Sequence, residues 1–175
     1  MIAVRRIDAS CRDDLCLPND PFSMPGRLIV SLRDGVWCWG EELFPEPKSM
    51  VFPDESYDLA QIDAEGGAFG AYEDGQCVGL VIFQKHYFAY LHVLDLKVSA
   101  AFRGRGIGRA LIEAGKAFAR ELGYRGLYLE AQDNNLEACR FYLRCGFEIG
   151  GYDNRIYRGT SQEGKSDIIF YNDID

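Results

Sequence analysis

The sequence predicts an α+β domain in which a mixed, mostly antiparallel sheet is flanked by helices. Asp74 and Gly75 join two apolar runs, and an Asp-Gly pair in that position is a strong hairpin signal. A third β-rich run follows at once, so three successive strands should form an antiparallel meander. The chain then passes through a helical pattern, a short strand and a second helical pattern, which is the order of a strand–helix–strand crossover.

The first 65 residues carry weaker signals because prolines and glycines interrupt them repeatedly. Short strands are expected at residues 27–32 and 36–40, where β-branched and aromatic residues flank an Arg-Asp-Gly turn. The acidic stretch at residues 53–63 predicts a short helix capped near Asp54. This part of the chain should therefore hold small, separate elements.

The remaining elements follow clearer patterns. A strand should cover residues 87–98, and apolar residues then recur with helical spacing from Ile107 to Leu122, with Gly123 placed to end the helix. A strand is expected at residues 126–132, followed by a helix that begins near Asn134 or Asn135. Closing strands are expected at residues 147–152, 155–157 and 167–171.

Composition narrows the class of protein. With 175 residues, 47% of them apolar, the chain should form a single domain spanning residues 1–175. No apolar run has the length of a signal peptide or of a membrane span, so we expect a cytoplasmic protein with no membrane partner. The formal net charge of −8 argues against a nucleic-acid partner and favours a cationic small molecule or peptide as the partner. The alternative is that the charge serves only solubility.

Metal and cysteine chemistry have little support. The six cysteines show no Cys-x-x-Cys spacing, and His86 and His92 are the only histidines, so no metal site is expected. A nucleophilic cysteine would need an orienting histidine that the sequence does not place beside one.

A loop rich in glycine and arginine precedes the first long helix. Such a loop at a helix N-terminus presents backbone N–H groups and the positive end of the helix dipole, which together bind phosphate. Arg103, Arg105 and Arg109 would add charge. The spacing fits neither a P-loop nor a dinucleotide fingerprint. A surface turn with solvated arginines and an RNA contact are alternatives, although the helix behind the loop favours ordered anion binding.

Two motifs carry a resemblance to a known family. The pattern R-x-x-G-x-G is followed by a second motif, NNLEACRFYLRCGF, and the key positions are Arg103, Gly106 and Gly108 in the first and Asn135, Ala138, Tyr142, Gly146 and Phe147 in the second. In this order, after a strand that ends at Val98, the motifs resemble those of the GNAT family of N-acetyltransferases. The resemblance implies a three-layer fold whose central sheet is splayed where acetyl-CoA binds.

The resemblance also implies a cofactor site. Backbone groups of the strand ending at Val98 would polarise the acetyl carbonyl and pair with the pantetheine arm, while the glycine loop would hold the pyrophosphate. The implied acetyl-CoA contacts are Leu96, Lys97, Val98, Arg103, Gly104, Arg105, Gly106, Ile107, Gly108, Arg109, Asn135, Ala138 and Tyr142. A helix cap is an alternative role for Asn135.

Acetyl transfer to an amine needs a proton acceptor, and the departing thiolate benefits from a proton donor. The resemblance makes Tyr142 the general acid, although spacing alone would favour a packing role. Asp95 and Glu130, acidic residues within apolar strands, are the two alternatives for the base. His86 and His92 are weaker alternatives because each lies among aromatic strand residues.

Within that family, the chain is most similar to the streptothricin acetyltransferases, from the Asn-Asp-Pro-Phe segment at residues 19–22 to the second motif. This similarity implies direct transfer, in a ternary complex, to the β-lysine amine of that cationic antibiotic. A polyamine or protein amine as acceptor, and a sensor that binds acyl-CoA without turnover, remain alternatives. Residues 41–44 and 53–58 are expected to form an acidic rim for the acceptor, and exposed strand edges near the C-terminus are compatible with a homodimer.

Overall fold

A computed structural model describes residues 1–86 and 88–174. Within these residues the chain forms nine strands and three α-helices: β1 (Ala3–Arg6), β2 (Phe22–Arg33), β3 (Val36–Met50), α1 (Leu59–Glu65), β4 (Gly66–Glu73), β5 (Gln76–Gln84), β6 (Tyr90–Val98), α2 (Ile107–Glu121), β7 (Gly126–Gln132), α3 (Leu136–Arg144), β8 (Glu148–Asp153) and β9 (Asp167–Asp173). Short 3-10 helices cover Arg12–Cys16 and Ala100–Phe102.

The chain divides into two compact units. The first contains Met1–Pro21, Val51–Leu127 and the last residues from Asp173 on, and the second contains Phe22–Met50 and Tyr128–Asn172. The expectation of one domain over the whole length stays a prediction. No helix among the described residues is long and apolar enough to cross a membrane.

The first unit is built on an antiparallel array in the order β1-β4-β5-β6. The predicted hairpin is confirmed, because Asp74 (φ 50°) and Gly75 (φ 84°) both take the left-handed conformation that a two-residue turn needs. The third strand begins at Tyr90, later than predicted. Tyr87, its predicted start, lies outside the described residues.

Helix α2 packs its apolar face on this array. Phe118 of α2 meets Phe69 and Phe83 of the hairpin strands edge-on or tilted, with ring centroids 5.4 and 6.1 Å away. Gly115 is buried against the ring of Phe83, where a Cβ atom would lie only 2.2 Å from Cζ. The helix is therefore held against β5 at a distance that only glycine permits.

The predicted cap of the acidic helix is wrong. Helix α1 is capped by Asp58, whose carboxylate accepts from the N–H of Gln61. Asp54 lies in an extended segment before the helix, and its carboxylate accepts from the N–H of Asn19 at 2.7 Å. An acceptor must lie two or three residues before the N–H that it caps, and Asp58 alone of the two has that spacing to α1.

The second unit contains a ribbon, β2 paired with β3, that is much longer than the two short strands predicted. Its turn lies at Asp34 and Gly35, as expected. Prolines do not end the strands because the pairing shifts between Met24 and Gly26, and residues 44–47 bulge out opposite Pro25. Bulges and unpaired edges are the places where a strand tolerates proline.

Strands β7, β9 and β8 lie side by side in that order in the second unit. The strand predicted at residues 155–157 is wrong, because this segment forms a turn in which Asp153 accepts from the N–H groups of Arg155 and Ile156. Helix α3 begins after Asn135, as predicted, and Gly146 (φ 85°) follows its end.

Candidate functional site

Strand β6, whose C-terminal end is predicted to bind acetyl-CoA, contains a β-bulge. Ile82 pairs with Asp95 and Phe83 pairs with Val93, so Leu94 is an extra residue on β6. A bulge leaves the backbone groups of the extra residue outside the ladder, where they can pair with another molecule. Leu96, Lys97 and Val98 continue the strand toward the glycine loop.

The glycine loop ends in an uncapped helix N-terminus. Gly104 (φ 76°) and Gly106 (φ 81°) have left-handed conformations, and a Cβ atom at either position would meet nothing within 4 Å. Gly106 is the N-cap of α2, and no side chain bonds the N–H groups of the first turn there. A helix N-terminus without a side-chain cap suits a phosphate, as the pyrophosphate of acetyl-CoA requires.

Arg103 is held by the protein itself. Its Nε donates to the carbonyl of Val98 at 3.0 Å, and its two terminal nitrogens donate to the carbonyls of Pro21 and Asp20 at 2.7 and 3.2 Å. The carboxylate of Asp20 also accepts from the N–H of Ala100. Arg103 therefore ties the end of β6 and the loop to residues 20–21.

Arg105 forms a two-pronged ion pair with Glu73, at 2.5 and 3.0 Å, and its guanidinium lies 5.2 Å from the ring centroid of Phe102. The pairing with Arg105 lowers the pKa of Glu73. Arg109 is exposed on the first turn of α2. Arg103 and Arg105 thus have protein partners that position them around the loop.

Asp95 lies in a compact charged cluster. Lys97, two residues further along the strand, is 3.0 Å from Asp95 Oδ2 and 2.7 Å from Glu55 Oε2. The hydroxyl of Tyr57 donates to Asp95 Oδ2 at 3.2 Å. We call these four residues, Glu55, Tyr57, Asp95 and Lys97, the Asp95 cluster.

The side chains of the cluster shift one another's protonation. Burial raises the pKa of Asp95 above its usual value, even though the charge of Lys97 acts in the opposite direction. Burial lowers the pKa of Lys97, but its bonds to Glu55 and Asp95 outweigh that effect and the pKa is raised. Asp95 is therefore a carboxylate whose affinity for a proton is increased, as a base for an amine requires.

In the second unit, Asn135 has the cap role that the sequence left open. Its side-chain oxygen accepts from the N–H of Ala138 at 3.3 Å. Tyr142 is half-buried on α3, with its ring 5.7 Å from the rings of both Phe147 and Phe170. The ring of Tyr142 is thus fixed by aromatic packing, which is the first requirement for a hydroxyl that must act at one point.

Glu130 occupies an exposed position on β7, between buried neighbours. Its negative charge acts on Asp167, whose pKa is raised by burial first of all. The hydroxyl of Tyr157 donates to Asp167 at 2.8 Å. Glu130 is therefore much less buried than Asp95.

The predicted acidic rim has its charges largely paired. Glu41 binds Arg140 through both oxygens, at 2.9 and 2.6 Å, and Glu42 lies 3.4 Å from Arg27. In the other predicted segment, Glu55 is paired with Lys97. Most of these carboxylates therefore have internal partners that any cationic acceptor must compete with.

The cysteines and His86 are described by their burial and packing. None of the six cysteines, all of them within the described residues, is in a disulfide. Burial raises the pKa of Cys77 to about 11 and that of Cys139 to about 12, which keeps both as thiols. His86 stacks on Phe88 at 4.5 Å. Among the described residues, no three acidic, histidine or cysteine side chains are grouped so that they could hold a metal ion.

Sequence reasoning missed the partners of Asp95 and of Glu41. Asp95 and Lys97 alternate on one strand and so share a face, which could have been inferred from the two-residue period. Glu55, Tyr57 and Arg140 had no such signal, because the contacts join residues 38 to 99 positions apart.

Comparison with known proteins decides the family. The model of the acetyltransferase (GNAT) family matches residues 33–147, which is more than half of the chain. The chain belongs to the GNAT family. It is an acetyltransferase that uses acetyl-CoA, and the predicted α+β fold of this family is confirmed.

Among curated GNAT proteins, the chain is similar to streptothricin acetyltransferases. It is 33% identical to streptothricin acetyltransferase A of Bacillus subtilis (strain 168), over 90% of this chain and 92% of that protein. It is 29% identical to a streptothricin acetyltransferase of Escherichia coli, over 73% of this chain and 70% of that protein.

Two solved GNAT structures are similar to this chain over nearly its whole length. A protein of Bacillus anthracis str. Ames, described as a streptothricin acetyltransferase and solved in complex with acetyl coenzyme A, is 28% identical with a TM-score of 0.89 and covers 100% of this chain and 99% of its own. Nourseothricin acetyltransferase is 27% identical with a TM-score of 0.82, and the match covers 99% of each chain.

Proposed function

We propose that this GNAT enzyme transfers the acetyl group of acetyl-CoA to the β-lysine amine of streptothricin, by direct attack in a ternary complex. The observation that carries the proposal is the extent of the similarity to streptothricin acetyltransferase A, which covers 90% of this chain. A match to the acetyl-CoA motifs alone would cover much less. The family model leaves out residues 1–32 and 148–175, and at least part of each of these flanks falls within the likeness to streptothricin acetyltransferase A.

Acetyl-CoA supplies a thioester whose carbonyl carbon accepts the amine. The loop between β6 and α2 would hold its phosphates through backbone N–H groups around Gly104 and Gly106, with Gly108 and Ile107 in the first turn. The residues of β6 around the Leu94 bulge would pair with its arm and donate to the carbonyl oxygen as charge develops there.

The acceptor amine must lose a proton, because a lysine-like amine with a pKa near about 10.4 is mostly protonated at neutral pH. Asp95 is our choice between the two predicted bases, since it is buried and its pKa is raised. Glu130, exposed on β7, is the alternative. A proton passes from the ammonium nitrogen to a carboxylate oxygen, directly or through one water.

Tyr142 would return a proton to the departing thiolate. Its ring is held by Phe147 and Phe170, so its hydroxyl is kept in one place. A tyrosine hydroxyl is neutral until it donates its proton. It therefore suits a step in which the proton is needed only when the C–S bond breaks.

The decisive test is CoA release by the purified enzyme with three separate acceptors: streptothricin, a polyamine and a lysine peptide. Fast turnover on streptothricin alone is the expected result, and mass spectrometry should place one acetyl group on the β-lysine amine. Turnover on the polyamine or peptide alone would keep the GNAT activity and overturn the proposed acceptor. Binding of acetyl-CoA without any turnover would instead favour the acyl-CoA sensor.

A Tyr142→Phe variant tests the role of the acid in the same assay. We expect kcat to fall by about 10²-fold or more, with the KM of either substrate nearly unchanged, since general acid catalysis contributes that much. The matched control is Tyr152→Phe. Tyr152 is an exposed residue on β8 of the same unit, and its hydroxyl donates a hydrogen bond to Ser166. An equal loss in both variants would indicate a structural role for Tyr142.

A further inference from the structure

The Asp95 cluster contains more charge than a simple base needs. Two carboxylates, Asp95 and Glu55, share the single ammonium of Lys97, and this leaves one negative charge in excess. The Lys97 side chain is only 10% exposed and that of Asp95 14%, whereas Glu55 is 37% exposed. The three charged groups therefore interact at short range with little solvent between them.

The contacts are arranged around one oxygen of Asp95. Lys97 and the hydroxyl of Tyr57 both contact Oδ2, at 3.0 and 3.2 Å. The Lys97 ammonium also lies 5.9 Å from the Tyr57 ring centroid, so the cation is held between two carboxylates and an aromatic ring. The side-chain amide of Asn19 donates a hydrogen bond to Glu55 Oε2 at 2.8 Å.

The groups that act on the protonation of Asp95 come from its own strand and from the segment before α1. On its own strand the charged neighbour is Lys97, and from the segment before α1 the neighbours are Glu55 and Tyr57. On β5, the residue paired with Asp95 is the apolar Ile82. Besides burial, which has the largest effect, one cation, one anion and one hydroxyl act on the proton affinity of Asp95.

We propose that Lys97 and Glu55 are positioning residues that set, with opposite signs, the pH at which Asp95 accepts the proton of the acceptor amine. This inference rests on the proposed function and selects Asp95 over Glu130 as its base. In the step, the N–H bond of the ammonium breaks and an O–H bond forms on Asp95. Lys97 stabilises the carboxylate that must be present beforehand, and Glu55 favours the protonated form that results.

The sign of each substitution follows from Coulomb's law. Glu55→Gln removes a negative charge near Asp95, so the carboxylate becomes easier to form and its titration should move down by about 0.5 to 1 pH unit. Lys97→Met removes the cation, so the titration should move up by about 1 pH unit or more. Tyr57→Phe removes a hydrogen bond to the carboxylate and should also move it up, by less.

The experiment is a pH titration of the full chain carrying ¹³C-labelled aspartate, followed by NMR. The Asp95 carboxyl signal is identified as the one missing from Asp95→Asn. The pH dependence of kcat/KM for streptothricin is measured in parallel on the same variants. Since the amine is the same throughout, a change in the acidic limb of that profile reports on the enzyme.

Matched controls are Glu113→Gln and Lys116→Met, which break an i,i+3 pair on α2 of the same unit. Neither should move the Asp95 titration or the acidic limb. Lys97→Arg retains the cation and should restore most of the wild-type profile. If Lys97→Met does not fold, the Glu55→Gln and Tyr57→Phe variants still give the two opposite directions.

The expected result is that both readouts move down in Glu55→Gln and up in Lys97→Met. Titrations that stay within error of the wild type would overturn the tuning. Titrations that move while the acidic limb stays fixed would overturn the role of Asp95 as the base. If the wild-type enzyme acetylates no amine, the proposed function fails, and the NMR titrations alone decide whether Lys97 and Glu55 control Asp95.

Discussion

Arg103 shows how a residue in a binding motif can act on the fold. Its guanidinium donates to three backbone carbonyls, so its charge is used to hold residues 20–21 against the glycine loop. Such bonds position the loop before any ligand arrives. Arg105, in the same loop, is held by a single carboxylate at the surface.

We therefore expect Arg103→Gln to lower the free energy of unfolding by about 1–2 kcal/mol, since three hydrogen bonds from a charged donor are lost at a partly exposed site. Urea unfolding measures this change, and the KM for acetyl-CoA should rise with it. Arg105→Gln is the matched control, with a smaller effect on stability. An increased KM with unchanged stability in Arg103→Gln would identify the residue as a phosphate ligand.

At the scale of elements, helix α2 has a left-handed glycine at each end. Gly106 (φ 81°) precedes its first turn and Gly123 (φ 78°) follows its last, and a Cβ atom at either position would meet nothing within 4 Å. The conformational cost of an L-residue is thus the same at both ends, while only the first lies at the phosphate-binding end.

This symmetry gives a controlled test of the loop. Gly106→Ala and Gly123→Ala should each destabilise the fold by about 1–2 kcal/mol, because both force alanine into the left-handed region. The KM for acetyl-CoA should rise about fivefold in Gly106→Ala, the equivalent of about 1 kcal/mol of binding. It should not change in Gly123→Ala. Equal KM values in the two variants would exclude a role for the loop in binding.

Gly115 tests how closely α2 approaches β5. Alanine is the better helix former by about 1 kcal/mol, yet its Cβ would lie 2.2 Å from the Phe83 ring. We expect Gly115→Ala to lower the free energy of unfolding by about 1–3 kcal/mol through overpacking. Phe83→Leu in the same chain should recover part of that loss. Thermal unfolding distinguishes the cases, and a stabilised Gly115→Ala would show that the contact relaxes freely.

For the whole molecule, the net charge of −8 predicts that acetyl-CoA and the proposed cationic acceptor respond oppositely to salt. The negative field attracts a polycationic acceptor and repels the anionic acetyl-CoA. Raising the ionic strength from about 0.01 to 0.15 M shortens the Debye length from about 30 to 8 Å. The KM for streptothricin should therefore increase and that for acetyl-CoA decrease in steady-state assays. A change of both in the same direction would contradict this account.

Local signals in the sequence predicted most of the first unit and the helices. The Asp74-Gly75 turn, the end of α2 at Gly123 and the cap at Asn135 each depend on residues within a few positions. The motifs predicted the family for the same reason. Strand β1 and the full length of the β2–β3 ribbon were not predicted, because their pairing depends on partners far along the chain.

The Asp95 cluster likewise depends on contacts between residues far apart in the chain, which the sequence does not predict. Asp95 was singled out as an acidic residue in an apolar strand, and its burial agrees with that reasoning. Tyr57 and Glu55 belong to the acidic segment that the sequence predicts as a rim for the acceptor. Only in the folded chain do they meet Asp95 and Lys97. Tertiary contacts thus bring two residues of the predicted acidic rim beside Asp95, the proposed base.

The prolines of the β2–β3 ribbon also affect whether another strand can pair with the edge of β3. Strand β3 is bounded by β2 on one side only, and Pro45 and Pro47 in its bulge have no N–H to offer on the other. An incoming strand that tried to extend the ribbon would find gaps in the row of donors and a kinked backbone. The edge of β3 is thus a poor template for the addition of a further strand.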